Sequence, residues 1–191
     1  MRPGGNSVAS RDDGLRLVER KVGNSNLIKH MLATEAIMRA LAVKFDADVD
    51  AWGLAGLVHD VDYKKTEKNP EKHGLVGASW LEELGYPADV IKAVSCHNEM
   101  TGVPMESIMD KALHVSDPLT GLIVACALIH PDKRLSSIDV PFVLNRFKER
   151  RFAAGASREQ MEKSSEIGLT LEEFVEIGLN AMRGISEELG L

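Results

Sequence analysis

With 191 residues the chain suits one folded domain better than two. Its 44% hydrophobic and 27% charged residues make it too apolar for intrinsic disorder and too polar for a membrane bundle. The formal net charge of -6 argues against the basic surface that a nucleic-acid polymer requires. Small phosphorylated ligands stay compatible, because a local cluster of Lys and Arg can sit within an acidic whole.

The two cysteines, Cys96 and Cys126, each lie in an apolar run. No disulfide framework or Cys-rich zinc site is expected from them, and a reducing, cytoplasmic compartment is. The opening Met1-Arg2-Pro3-Gly4-Gly5-Asn6-Ser7 lacks the apolar core of a signal peptide. The longest apolar stretch, 119–129, falls short of the roughly 20 residues of a membrane helix, so no membrane association is expected.

The first dozen residues, rich in Gly and Ser, read as frayed. Beyond them the segments carry the helical period and none alternates as a half-buried strand would. A short helix over 10–22 places Leu15, Val18 and Val22 on one face. Asn24 or Ser25 caps a longer one with Leu27, Met31, Ala36, Ile37 and Leu41 among its apolar positions. Asp46 or Asp48 opens the next, which runs through Trp52, Leu54, Leu57 and Val58 into His59-Asp60. The stretch 61–72 reads as a lysine-rich polar loop broken at Asn69-Pro70.

Helix resumes near His73 and stops at Gly85-Tyr86-Pro87; another spans 88–97, before a loop at Gly102 and Pro104. The most apolar segment is 106–129, which Pro118 is expected to kink or divide. Further helices are predicted over 139–151, over 158–167 with Ser157 as cap, and from Thr170 onward. The expected fold is a single all-α domain of eight to ten helices over 1–191. In it residues 1–10 are flexible, and 158–191 form a C-terminal helical extension that covers a site or offers a dimer face.

Six histidines occur, at 30, 59, 73, 97, 114 and 130. His30 shares a helix face with Leu27, Ile37 and Leu41 and so points inward. His59-Asp60 closes an apolar helix, His73 starts one and His97 ends one. Asp117 falls within the most hydrophobic segment, where an unpaired carboxylate would cost several kcal/mol. A buried carboxylate with several inward histidines suggests a metal site, for which imidazole and carboxylate suit Fe, Mn, Co, Ni or Zn. Each residue also has a plainer role: His30 as a hydrogen-bonded core histidine, His59-Asp60 as a helix-end pair, Asp117 as an N-cap before Pro118, His73 as a partner of Glu71, and His130 as a helix-end cap.

The order His30, His59-Asp60, Asp117 resembles the signature of the HD superfamily of metal-dependent phosphohydrolases. Gly56-Leu57-Val58-His59-Asp60-Val61-Asp62 is similar to that family's apolar HD segment, and His73-Gly74-Leu75-Val76-Gly77-Ala78 to its H-x3-GA helix start. The resemblance covers about residues 24–122. It implies that His30, His59, Asp60 and Asp117 bind a first divalent metal, and that Asp60 bridges to a second held by His73 and His97. One or two ions of Fe, Mn, Co or Ni are implied, with Zn or Mg also compatible. Gly85-Tyr86-Pro87 invites comparison with the HD-GYP cyclic-dinucleotide phosphodiesterases. Here it lies upstream of His97-Asn98-Glu99, where Asn98 stands in place of a histidine, so it reads as a turn.

The implied reaction is hydrolysis of a small phosphate ester or anhydride, with a nucleotide favoured, by a metal-activated hydroxide in line with phosphorus. Asp60, and Asp62 as an orienter of water or as a loop cap, are the candidate catalytic residues. Lys64, Lys65 and Lys72 of the loop, with Lys111, His114, Thr120, Lys148 and Arg151, are candidates for contacting substrate; each also reads as a surface or core residue. The same ligand set would serve a mixed-valent di-iron oxygenase, and a non-catalytic metal- or nucleotide-binding module is the third reading. Homo-oligomerisation is left open.

Overall fold

The computed structural model describes residues 9–191, and among them the secondary structure is entirely helical, as expected. Helix α1 (Arg11–Val22) opens with a capping box in which the Ser10 hydroxyl accepts the Asp13 N–H and the Asp13 carboxylate accepts the Ser10 N–H. Of the opening stretch read as frayed, residues 1–8 lie outside the described residues, and Ser10 is fixed as this cap. Helix α2 (Ser25–Lys44) is capped by Asn24, and α3 (Val49–Val58) by Asp48, each side-chain oxygen accepting two backbone N–H groups. At the crossing of α2 and α3, a Cβ on Gly56 would stand 2.8 Å from the Thr34 carbonyl oxygen, so only glycine permits the approach. That approach sets His30 of α2 beside His59, which follows α3 directly.

The stretch 61–72 is not the open loop expected from its polarity. It folds into α4 (Tyr63–Thr66), a single helical turn, and a 3-10 turn over Pro70–Lys72. The Asp62 carbonyl accepts both the N–H and the hydroxyl of Thr66, which gives this polar segment its own hydrogen bonds. Helix α5 (Leu75–Glu83) begins two residues after His73, with Gly74 in the turn at φ 92°. A Cβ on Gly74 would meet the Val94 carbonyl oxygen of α6 (Ala88–Cys96) at 2.6 Å. His73 and His97, at the ends of these turns, are drawn together by the same close passage.

Helix α7 (Ile108–Ile129) runs through Pro118 and is not divided there. Proline at 118 has no N–H and so strips the His114 carbonyl of its helical partner four residues on. The Gln160 side-chain amide donates to that carbonyl instead, and the helix is completed from outside. Asp117 is therefore a mid-helix residue and not an N-cap. Helix α7 is also the one described helix long and apolar enough to cross a membrane. With 67% of that stretch buried, it is the core helix of the domain.

Helix α8 (Val140–Lys148) ends three residues earlier than its sequence pattern suggests. The turn after it is organised by Arg158, a buried residue whose guanidinium donates to the carbonyls of Phe147, Phe152, Ala153 and Ala156. Arg158 opens α9 (Arg158–Glu162), which tightens into a 3-10 turn over Lys163–Ile167. Helix α10 (Leu171–Arg183) packs on α2, α7 and α8, burying Phe174, Val175, Leu179 and Met182. The single turn α11 (Ser186–Leu189) then lies on α2. Burial of each such aliphatic or aromatic side chain contributes about 1.5–3 kcal/mol.

Candidate metal centre

Six side chains from five parts of the chain converge between α2, α3, α5, α6 and α7. On one side His30 Nε2 lies 3.2 Å from His59 Nε2 and 3.1 Å from Asp117 Oδ1. On the other, His73 Nε2 lies 3.2 Å from His97 Nε2. Asp60 stands between them: His59 Nε2 and His73 Nε2 are 3.4 and 3.0 Å from its Oδ1, and His30 Nε2 is 3.6 Å from its Oδ2. His30, His59 and Asp60 form one group able to hold an ion, and Asp60, His73 and His97 a second. Every residue that the family resemblance implied as a ligand is thus in the cluster, and Asp60 is common to both groups.

The outer ring nitrogens fix the chemistry of the inner ones. His59 Nδ1 donates to the Gly56 carbonyl at 2.8 Å and His97 Nδ1 to the Val94 carbonyl at 2.7 Å. Asp62 Oδ1 accepts from His73 Nδ1 at 2.9 Å. Thr120 gives its hydroxyl proton to the Asp117 carbonyl, so its oxygen accepts from His30 Nδ1 at 2.7 Å. In the neutral form that a metal requires, all four imidazoles are thereby held as the Nδ1–H tautomer, with the Nε2 lone pairs turned inward. Two such lone pairs 3.2 Å apart repel unless a cation lies between them. Adjacent ligands on an ion with bonds of about 2.1 Å stand about 3 Å from one another, which is the spacing found. The donor set fits one or two divalent ions.

Without an ion, protons take its place. Burial opposes charge on His73, yet hydrogen bonds to Asp60 and Asp62 outweigh it and push its pKa up to about 10. Burial also opposes charge on His30, and Asp117 and Asp60 again win, moving it upward. At His59 burial prevails and brings the pKa down to about 4. Burial alone would raise Asp60, but the surrounding imidazoles hold it well below the usual carboxylate range. The cluster is an anionic basket with two imidazoles, those of His73 and His30, ready to neutralise it.

The other candidate residues sit around this cluster. Asp62 is wholly buried, with Oδ1 taken by His73 and Oδ2 by the Gly74 and Gly77 N–H groups. Neither oxygen is left to orient a bound water, and Asp62 instead positions His73. Thr120 likewise positions His30. His114 Nδ1 donates from α7 to the His97 carbonyl at 2.8 Å, so it braces a candidate ligand, with its Nε2 facing Glu99. Lys111 lies 3.8 Å from Glu166 near that same face. Lys65 is drawn to the Trp80 indole, 5.3 Å from its centroid, a ring it shares with Lys21. Lys64 and Lys72 are exposed on the short turns, and Lys148 and Arg151 are exposed at the turn that Arg158 gathers.

Sequence reading missed Tyr63, whose half-exposed ring stands edge-on to His73 at 5.7 Å. It also missed Gln160, although a proline at 118 announces a carbonyl at 114 in need of a donor. Arg158 carried no signal, since its partners are all backbone.

Fold and cluster together define an all-helical domain whose clustered imidazoles and carboxylates could hold divalent metal. Sequence comparison supplies the family: the profile of the HD domain matches residues 27–128, and the chain belongs to the HD domain family, whose members are generally metal-dependent phosphohydrolases. The chain is 29% identical over 98 residues to ribonuclease Y of Fusobacterium nucleatum, covering 51% of this chain and 19% of that protein. It is 28% identical over 107 residues to ribonuclease Y of Salinispora arenicola, covering 56% and 18%. With the protein MJ0778 of Methanocaldococcus jannaschii the identity is 27% over 135 residues, covering 66% of this chain and 78% of the archaeal one. The chain thus spans less than a fifth of these ribonuclease Y proteins. No solved structure matches.

Proposed function

We propose that this chain is a metal-dependent hydrolase of small phosphate esters or anhydrides, with a nucleotide as the favoured substrate. The observation that carries this reading is the convergence of four Nε2 lone pairs on Asp60, a carboxylate common to two ligand groups. Such a bridge suits a pair of ions. When bound, the ions supply Lewis acidity that lowers the pKa of water and neutralises charge on phosphate. The side chains do the rest. Asp60 holds both halves of the centre in register, and Asp117 and His30, with side chains 33% and 22% exposed, form its accessible edge. Asp62 and Thr120 keep the imidazoles from turning away.

A second reading is favoured by the ribonuclease Y likeness: cleavage of a phosphodiester in RNA. Against it stands the net charge of -6, which repels a polyanion. Elemental analysis of protein purified without added metal, beside Asp60→Ala, is the first test. About two equivalents of Fe, Mn, Co, Ni or Zn, lost in the variant, is the expected result. Nucleoside monophosphates, dinucleoside polyphosphates and single-stranded RNA are then offered to the loaded protein with oxygen uptake followed in parallel. Release of phosphate or nucleotide from the small substrates supports the proposal. Cleavage of RNA alone, or oxygen consumption in place of hydrolysis, overturns it, and metal binding with no turnover leaves a binding module.

A further inference from the structure

A cavity of about 410 Å³ lies beside the metal centre, between α2, α7 and the end of α11. Its size falls within the range of small-molecule sites. His30 and Thr120 are common to both: they line the cavity, and His30, held by its hydrogen bond to Thr120, also belongs to the metal cluster. From the ligand Asp117, one face of α7 leads away along Thr120, Gly121, Val124 and Leu128, at three, four, seven and eleven positions on. All four of these residues line the cavity. The far wall is the segment 189–191, tied down by Lys29, whose Nζ donates to the Leu189 carbonyl at 2.8 Å. Two N–H groups of Lys29 remain beyond that bond, at the rim of an otherwise largely apolar space.

We propose that this cavity receives the organic half of the substrate, and that the substrate is a phosphate monoester of a single ring-bearing group of nucleoside size or smaller. The proposal rests on the phosphohydrolase reading and narrows it. The phosphate end lies at Asp117 and His30, the ring packs along α7 against Val124 and Leu128, and Lys29 meets a polar edge. The volume, about 410 Å³, suits one such group rather than a longer chain. Gly121 sets the specificity. A Cβ there meets nothing nearer than the Ala156 Cβ at 3.9 Å, so this cavity-lining position takes a first side-chain atom without a clash, and a larger side chain is expected to compete with the ring. Replacing a helix-interior glycine also favours the helix itself.

Binding to manganese-loaded protein tests this by calorimetry without oxygen. The probes are methylphosphonate, phenylphosphonate and an adenosine 5'-methylenephosphonate, whose C–P bonds resist hydrolysis. The two ring-bearing ligands are expected to bind wild-type protein about tenfold or more tightly than methylphosphonate. Gly121→Leu is expected to erase that preference, with methylphosphonate affinity and manganese content unchanged. Lys29→Met, a second and independent variant, is expected to weaken the adenosine ligand several-fold and leave methylphosphonate alone. Equal affinity of wild-type protein for all three probes, or a preference that survives Gly121→Leu, overturns the pocket assignment. Failure of wild-type protein to bind even methylphosphonate, with manganese in place, overturns the phosphohydrolase reading itself.

Discussion

The Nδ1–H of His73 is donated to Oδ1 of Asp62 at 2.9 Å, while the other oxygen of the same carboxylate takes the Gly74 and Gly77 N–H groups at 2.9 and 2.7 Å. One buried side chain therefore fixes the tautomer of a candidate metal ligand and caps the start of α5 behind it. Asp62→Asn replaces one acceptor with an NH2 that faces an N–H. His73 must then move or shift its proton to Nε2, the atom the ion needs. Affinity for the second ion is expected to fall about 10- to 100-fold. Stability should drop by about 1–3 kcal/mol. Metal titration with a urea melt checks both, and an unchanged second ion would contradict the role given to Asp62.

Thr120 does for His30 what Asp62 does for His73. Thr120→Val keeps the shape and removes the oxygen that accepts from His30 Nδ1. The first ion is expected to bind about 10- to 100-fold more weakly, and Thr120→Ser to restore it. Were Thr120 a substrate contact only, metal affinity would be the same in all three proteins.

Pro118 and Gln160 form a pair that a double-mutant cycle can separate. Gln160→Met keeps the length of the side chain but leaves the His114 carbonyl without a donor, at a cost of about 1–3 kcal/mol. In Pro118→Ala the helix regains its own N–H at that carbonyl, so the loss of the Gln160 amide should matter less there. Additive effects of the two changes would rule out the shared carbonyl as their link.

For the metal-free protein, two histidines give the pH profile of stability opposite slopes. His73, raised to about 10 from an ordinary 6.5, stabilises the fold fully below pH 6.5, and that contribution is lost as pH rises through 10. His59 is lowered to about 4 by burial, so its contribution is present above pH 6.5 and lost as pH falls toward 4. Urea midpoints measured with a chelator should therefore decline at both ends, and His73→Gln should flatten the alkaline arm. Because an ion displaces the His73 proton, metal affinity should rise with pH over the same alkaline range. An alkaline arm identical in His73→Gln would refute the assignment.

Much of this molecule is written locally. The caps Asn24, Asp48, Asp139, Ser157 and Thr170 each act within a few residues, so helix starts follow from the chain order alone. The candidate ligands His30, His59, Asp60, His73, His97 and Asp117 are legible because their order and neighbours resemble those of a family, not because spacing reveals that they meet. Residues 61–72 misled because a short polar turn that bonds to itself has the composition of a loop. What required the tertiary structure were the partners of groups far apart in sequence: Asp62 turned back from water to His73, Thr120 joined to His30, Gln160 brought to the carbonyl that Pro118 orphaned. Hydrogen-bond direction is set by which atoms the packed helices bring within about 3 Å, and a linear pattern carries no record of that distance.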